Sequence, residues 1–146
     1  MNQALAFLLP KINHASTMKN VKVALDLARD FICMGFHPKV EVGTTAGYQL
    51  VLRSETNQFH SSTESAAIKN ADIERMRSEH VRNVLEAVNS LPKKERELIM
   101  VRWFGDDDMT DIETYIQLDM THATYYRLRS RAFNKLAHAL KIEVYE

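Results

Sequence analysis

The chain has 146 residues, 45% of them hydrophobic and 26% charged, which is enough for one ordinary globular domain or a small domain plus an appendage. Its 19 basic and 19 acidic residues give a formal net charge of zero, which on its own would argue against a nucleic-acid partner. The single cysteine, Cys33, excludes an intrachain disulfide and indicates a reducing compartment.

The first feature in chain order is an apolar run, Ala4 to Leu9, that stops at Pro10. It has neither the basic flank in front nor the small-residue cleavage site behind that mark a signal peptide. No stretch approaches the roughly 18 apolar residues that a membrane span needs. We therefore expect a cytoplasmic protein without a membrane-spanning segment.

An amphipathic helix follows, with Asn13 as a suitable N-cap and with Gly35 and Pro38 marking its end. Its apolar positions recur every three or four residues: Val21, Ala24, Leu25, Ala28, Phe31 and Ile32. This apolar stripe needs cover, which either a homodimer or packing within the chain would supply. Alternating apolar and polar residues on both sides of the turn at 43–47 then predict a short β-hairpin.

The middle of the chain reads as a polar linker followed by two helices. Residues 54–65 are rich in Ser, Thr, Asn and Gln and predict the linker. From about Ala66 to Asn89 a helical pattern has apolar positions at Ile73, Met76, Val81, Val84, Leu85 and Val88. Pro92 then begins a second helix, which Gly105 ends. Trp103 is expected to be the centre of the carboxyl-terminal core.

The most informative segment begins at Asp111. A short helical pattern there contains Ile112, Tyr115 and Ile116 and breaks between Leu118 and Thr121, where a longer helix starts. On a helical wheel, the longer helix has one apolar stripe that is expected to be buried: Thr121, Tyr125, Leu128, Ala132, Leu136 and Leu140. A short helix, a tight turn and a longer helix with a basic outer face are typical of a DNA-binding helix-turn-helix.

The opposite face of the last helix carries side chains suited to the major groove: Ala123, Tyr126, Arg127, Ser130, Arg131 and Asn134. Arg127 can form a bidentate pair with guanine, Tyr126 offers a ring and a hydroxyl, and Ala123 is small enough for close approach or contact with a thymine methyl. His122 lies at the helix start, where recognition helices contact base edges or the first phosphate. The N–H groups of Thr121 to Thr124 can hold a phosphate. We therefore expect this face to bind double-stranded DNA; the alternative is that it is simply a solvated helix face.

Charge is segregated along this part of the chain. Residues 127–141 contain five basic side chains and no acidic one, whereas 106–119 contain six acidic side chains and no basic one. Arg129 lies at the edge of the apolar stripe, where an ion pair with the acidic segment is favoured over a DNA contact. The triplet 106–108 lacks the register of a calcium loop, so it is expected to be a solvated loop that balances the basic helix, or alternatively a docking surface.

Nothing in the residue pattern predicts catalysis, a cofactor or a metal. The six histidines have no metal-ligand spacing with the lone cysteine. There is no glycine-rich phosphate loop and no Ser-His-Asp order. We therefore expect a protein that is not an enzyme and needs no cofactor.

The last third of the chain resembles region 4 of bacterial sigma factors. The matching residues are Leu91-Pro92-x-x-Glu95-Arg96-x-x-Ile99-x-x-Arg102, then 111–118, then Thr121-x-x-Thr124-Tyr125-Tyr126-Arg127-x-x-x-Arg131-Ala132-x-x-Lys135-Leu136. The resemblance implies base or groove contacts for His122, Ala123, Tyr126 and Arg127, and phosphate contacts for Thr121, Arg131 and the helix start near Asp111. Sigma factors carry charged residues where this chain has Ala123 and Tyr126, and nothing here resembles their promoter-melting region.

The chain also resembles the ArpU-type phage regulators of Gram-positive hosts. The similarity lies in 9–12 with 15–21, in 124–127, and in the tail at 140–145. It implies a prophage transcription regulator in the cytoplasm of a bacterial host cell, often acting on late packaging or lysis genes. Two alternatives remain open: an interaction protein that docks on host RNA polymerase or another regulator, and a small subunit of a phage DNA-packaging machine.

Together these observations predict a mainly α protein in three parts. Residues 1–53 form an N-terminal helix and a short β-hairpin for oligomerisation or interaction, and residues 54–65 form a linker. Residues 66–146 form a helical domain with a sigma region 4-like helix-turn-helix. The expected DNA-contacting residues are Thr121, His122, Ala123, Tyr126, Arg127, Ser130 and Arg131.

Overall fold

The computed structural model describes residues 8, 10–35, 39–43, 47–51 and 64–146. Within them the chain is mainly helical, as predicted. The elements in order are α1 (His14–Cys33), β1 (Lys39–Gly43), β2 (Gly47–Val51), α2 (Glu64–Asn89), α3 (Lys93–Phe104), α4 (Asp111–Gln117) and α5 (His122–Leu140).

The two strands form the hairpin segment. They pair antiparallel with Lys39 opposite Val51 and Gly43 opposite Gly47, at the positions where the alternating pattern predicts a hairpin. Residues 54–63 of the predicted linker lie outside the described residues. The last two residues of the predicted linker belong to α2, which begins at Glu64.

Helix α1 begins where its sequence predicts. The Asn13 side chain accepts a hydrogen bond from the Ser16 backbone N–H at 3.1 Å, which satisfies one of the unpaired donors of the first turn. The face that the helix buries is apolar apart from one threonine, and it comprises Thr17, Val21, Ala24, Leu25 and Ala28. This face packs against other helices of the same chain. Packing within the chain was one of the two ways in which the sequence predicted that the apolar stripe would be buried.

One core joins α1 to the carboxyl-terminal helices. Trp103 lies at the junction and is fully buried. Its indole Nε1 donates to Asp26 Oδ1 at 2.9 Å, and its carbonyl accepts from Arg29 at 2.7 Å. Trp103 is therefore the core centre that the sequence predicts, and its polar contacts reach α1.

The two ends of the described chain are joined by backbone hydrogen bonds. The Asn13 N–H donates to the Val144 carbonyl at 2.8 Å, and the Glu146 N–H donates to the Lys11 carbonyl at 2.8 Å. The Thr17 hydroxyl accepts from the Val144 N–H at 3.0 Å. The tail after α5 thus fixes the position of α1 against the rest of the core.

The burial predicted from the apolar pattern of α2 is confirmed only in part. Val81, Val84 and Val88 are buried, but Ile73 and Met76 are 46% and 68% exposed. The helix has 26 residues, about 39 Å at 1.5 Å per residue. Among the described side chains of this helix, those that join the shared core all lie in its carboxyl-terminal half, so the apolar periodicity at Ile73 and Met76 does not produce burial.

Candidate nucleic-acid interface

Helix α4 starts with a capping box. The Thr110 hydroxyl accepts from the Glu113 N–H at 3.3 Å, and the Glu113 carboxylate accepts from the Thr110 N–H at 2.7 Å. These hydrogen bonds lower the pKa of Glu113, the bond from the Thr110 backbone most of all. The carboxylates of Asp111 and Glu113 at this helix start would repel a phosphate, so the phosphate contact near Asp111 that the resemblance implies stays a prediction that the local charge does not favour.

The turn between α4 and α5 has a defined backbone geometry. The Met120 N–H donates to the Tyr115 carbonyl at 2.9 Å, and the Asp119 N–H donates to the Ile116 carbonyl at 3.1 Å. This pair of bonds is a Schellman motif, which needs a left-handed residue. Asp119 takes that role with φ 54°, a conformation that Asp tolerates better than most residues. The turn therefore fixes the direction in which α5 leaves α4.

Helix α5 begins at His122, with Thr121 as its N-cap. The Thr121 hydroxyl accepts from the Thr124 N–H at 3.3 Å. Thr121 is exposed, so the prediction that it belongs to the buried stripe was wrong. The reason is that an N-cap residue has an extended backbone, and a helical wheel does not apply to it.

The outward face of α5 is open to solvent. Ala123, Arg127, Ser130 and Arg131 are all exposed, and no other described residue forms an ion pair or side-chain hydrogen bond with Arg127 or Arg131. The inward face carries the buried residues Tyr125, Ala132, Phe133, Leu136 and Ala137. The structure thus brings four of the seven predicted contact residues onto one free face, which we call the outer strip.

Tyr126 and His122 lie beside the outer strip in an aromatic cluster. Their ring centroids are 4.6 Å apart, and the His122 ring is 5.9 Å from that of Tyr115. Tyr126 is half-buried and also lies edge-on to Tyr125 at 5.1 Å. A ring held on several sides loses little conformational freedom on binding, so the part of Tyr126 that remains exposed is already positioned for a ligand.

Three side chains meet the carboxylate of Asp111 on the inward side. Tyr125 donates its hydroxyl to Oδ1 at 2.5 Å, and Arg102 Nε donates to the same oxygen at 3.1 Å. Arg129 lies 4.0 Å from Oδ2, which agrees with its predicted ion pair with the acidic segment. This Asp111 network ties α3, α4 and α5 together.

The charges of the Asp111 network are reflected in its pKa values. Burial alone would raise the pKa of Asp111, but the hydroxyl of Tyr125 and the charges of Arg129 and Arg102 outweigh it, so the pKa is lowered. Burial raises the pKa of Tyr125, and its hydrogen bond to Asp111 raises it further. The carboxylate is therefore ionised and the phenol is neutral at pH 7.

A second carboxylate neutralises Lys135. Both oxygens of Glu95 lie 2.9 Å from Lys135 Nζ. The Glu95 side chain is only 6% exposed, whereas that of Lys135 is 49% exposed. Because a carboxylate buried without a partner is costly, the pair is structural and Lys135 is not free for an external anion.

The sequence predicted an ion pair between Arg129 and the acidic segment but did not identify Asp111 as the partner, and it did not predict the pairing of Lys135 with Glu95. It instead assigned the balancing role to the triplet 106–108. Those three residues are exposed, and Asp108 lies 3.6 Å from Arg29 of α1 rather than near α5. The pairing depends on which side chains the fold brings together, and spacing along the chain does not reveal it.

The burial predicted from the apolar pattern of α4 is also wrong in part. Ile112 and Ile116 are 56% and 67% exposed, whereas Thr114 is fully buried and its hydroxyl donates to the Thr110 carbonyl at 2.8 Å. Neighbouring positions on a helix point about 100° apart, so in a seven-residue helix three apolar residues are too few to determine which face is buried.

Two further findings concern the described residues as a whole. None of their helices combines the length and apolar character that a membrane crossing requires. In the same part of the chain, no group of three or more His, Cys, Asp or Glu side chains is arranged to hold a metal ion.

Comparison with known proteins gives one informative relative. The chain is 30% identical over 141 residues to an uncharacterized phage-related protein of Listeria innocua, and the match covers 94% of this chain and 96% of that protein. No protein-family model matches the chain, and no solved structure matches it.

Proposed function

Because the chain belongs to the family of this phage-related protein of Listeria innocua, we propose that it is a phage or prophage transcription regulator. In this proposal α4, the Schellman turn and α5 form a helix-turn-helix that binds double-stranded DNA sequence-specifically. The ArpU-type and sigma region 4-like resemblances support this reading, and the former implies activation of late packaging or lysis genes.

The observation that carries the proposal is the contrast between paired and unpaired cations on α5. Arg129 and Lys135 each face a carboxylate within the protein. Arg127 and Arg131, one helical turn apart on the outer strip, are exposed and have no such partner among the described residues. Cations at this spacing on the solvent-facing side of a helix suit the phosphates and guanine edges of a major groove.

Each residue of the outer strip has a separate role in the proposal. Arg127 reads guanine through a bidentate pair, and Ala123 allows close approach or contacts a thymine methyl. Arg131 binds one backbone phosphate, and Ser130 donates a hydrogen bond to a neighbouring phosphate. The Thr124 N–H is occupied by the Thr121 hydroxyl, which leaves the N–H groups of His122 and Ala123 for a phosphate at the helix start.

The experiment that tests the proposal starts with selection from a random-sequence duplex library. We expect a defined sequence to be enriched, and anisotropy titrations on that duplex to show salt-dependent binding. Arg127→Ala should cost about 1–3 kcal/mol of binding free energy and relax discrimination at one base pair. Arg131→Ala should weaken all sequences alike.

Arg75→Ala is a matched control, since Arg75 is an exposed arginine paired with Asp72 on α2, away from α5. It should bind DNA like the wild type. No enrichment of any sequence, together with equal binding by all three variants and the wild type, would rule out the proposal.

Docking on host RNA polymerase is a second candidate function, favoured by the exposed acidic residues Asp106 and Asp107. Trp103 does not contribute to it because its side chain is fully buried. Replacing both acids by Asn and measuring retention on purified polymerase tests the idea; unchanged retention removes the loop as a docking site.

A further inference from the structure

A cleft between α1 and α5 opens beside the outer strip. Its volume is about 280 Å³, and it is lined by Met18, Lys19, Lys22, Arg129, Ser130 and Phe133. Ser130 belongs to both the cleft and the outer strip, so the cleft continues the surface on which DNA is proposed to lie.

Three of the six residues that line the cleft are basic, and none is acidic. The Lys19 side chain is exposed and forms no ion pair or hydrogen bond with another described residue. Lys22 is half-exposed and pairs with Asp26 at 2.9 Å. Of the two lysines, Lys19 therefore has the charge that is available to an external anion.

Arg129 leaves a donor unsatisfied in the same cleft. Its Nε atom is buried and has no hydrogen-bond partner, and its ion pair with Asp111 is long at 4.0 Å. Its guanidinium lies 4.7 Å from the centre of the Phe133 ring. Arg129 therefore adds positive charge beside the cleft, although its long ion pair with Asp111 offsets part of that charge.

We propose that this cleft receives a phosphate of the DNA backbone, so that α1 extends the DNA interface beyond the helix-turn-helix. Lys19 binds the phosphate directly, and the Ser130 hydroxyl donates a hydrogen bond to it from the side of the outer strip. Arg129 contributes positive charge from the wall of the cleft. The inference rests on the proposed function, and it assigns α1 a role in affinity that does not depend on base sequence.

The test uses the full chain and the duplex enriched by selection. Lys19→Ala should lower the slope of log affinity against log salt by about one, as expected for the loss of one phosphate contact. Because the salt range from 50 to 200 mM is fourfold, the loss of affinity should be about 3.5 times larger at 50 mM than at 200 mM. Lys19→Arg should restore both the slope and the affinity, since it restores the charge.

Ethylation interference locates the contact. In the wild type, ethylation of one phosphate outside the bases read by α5 should weaken binding, and this effect should vanish in Lys19→Ala while the other sites remain. Lys69→Ala is the matched control, because Lys69 is also an exposed helical lysine but lies in the first turns of α2, outside the core.

The outcomes separate the two proposals. If the wild type binds the selected duplex but Lys19→Ala keeps its slope and its interference pattern, α1 is not part of the interface and the helix-turn-helix proposal stands. If the wild type binds no duplex, both proposals fail.

Discussion

The two faces of α5 carry the same kinds of side chain and use them differently. On the inward side, Arg129 and Lys135 are paired with Asp111 and Glu95; the carboxylate of Glu95 is buried and that of Asp111 is partly buried. On the outer strip, Arg127 and Arg131 are exposed, and no described residue pairs with either of them.

The comparison shows why a count of basic residues does not define a DNA-binding surface. A cation that neutralises a buried carboxylate stabilises the fold, and its removal leaves an unpaired charge inside the protein. A cation with no internal partner contributes little to folding and retains its charge for a ligand. Substitutions on the two faces should therefore separate stability from DNA binding.

The largest effect is expected at Asp111, which holds the inward side together. Asp111→Ala leaves Arg102, Arg129 and the Tyr125 hydroxyl without their common acceptor. We expect a loss of about 3 kcal/mol in the free energy of unfolding, near the lower end for a broken ion-pair network because the site is only partly buried. Urea denaturation followed by circular dichroism measures it. A loss below 0.5 kcal/mol, the range of an ordinary surface substitution, would mean that the network does not stabilise the fold.

The second prediction contrasts Lys135→Ala with Arg131→Ala. Lys135→Ala leaves Glu95 buried without a partner and should cost about 2 kcal/mol of stability, with DNA affinity within twofold of the wild type. Arg131→Ala should leave stability within about 0.5 kcal/mol and weaken DNA binding. Urea denaturation and anisotropy on the same two samples decide it. If each variant lost both properties equally, the two faces would not be distinct.

A smaller effect is expected in the turn that sets the direction of the outer strip. Asp119 has φ 54°, which a β-branched residue adopts only at a cost. Asp119→Val should destabilise the protein by about 1–2 kcal/mol, whereas Asp119→Gly should be neutral or slightly stabilising. Thermal unfolding of the two variants compares them directly. Equal stability of the two would show that the turn does not require a left-handed residue.

The smallest effect concerns pH. The pKa of Asp111 is lower in the folded chain than its ordinary value of 3.8. Its ionised form therefore stabilises the fold above that value, and this contribution is lost as the pH falls from there through the folded pKa. The stability difference between wild type and Asp111→Asn should be full at pH 6 and should shrink below pH 3.8. A difference that stays constant to pH 2 would show that the charge of Asp111 does not contribute.

The sequence predicted what depends on local periodicity and capping. The amino-terminal helix begins at the cap that Asn13 supplies, and the long periodic pattern of α5 correctly separated buried Tyr125 and Leu136 from exposed Arg127 and Arg131. Over nineteen residues the helical period of the apolar positions is well determined, so an error at a single position does not change which face is predicted to be buried.

What the sequence could not predict depends on contacts between distant segments. The pairing of Lys135 with Glu95 joins residues 40 positions apart. Burial of Trp103 against α1 depends on Asp26, 77 positions away. The exposure of Ile73 and Met76 reflects which part of α2 packs into the core, which is a property of the assembled fold rather than of the α2 sequence itself.

The most direct measurement of the central claim follows the arginine side chains themselves. In a nitrogen-15 NMR titration with the selected duplex, the Nε–H signals of Arg127 and Arg131 should shift, and that of Arg102, which is bonded to Asp111, should stay in place. Shifts of Arg102 with unchanged signals from Arg127 and Arg131 would contradict the assignment of the outer strip as the DNA-binding face.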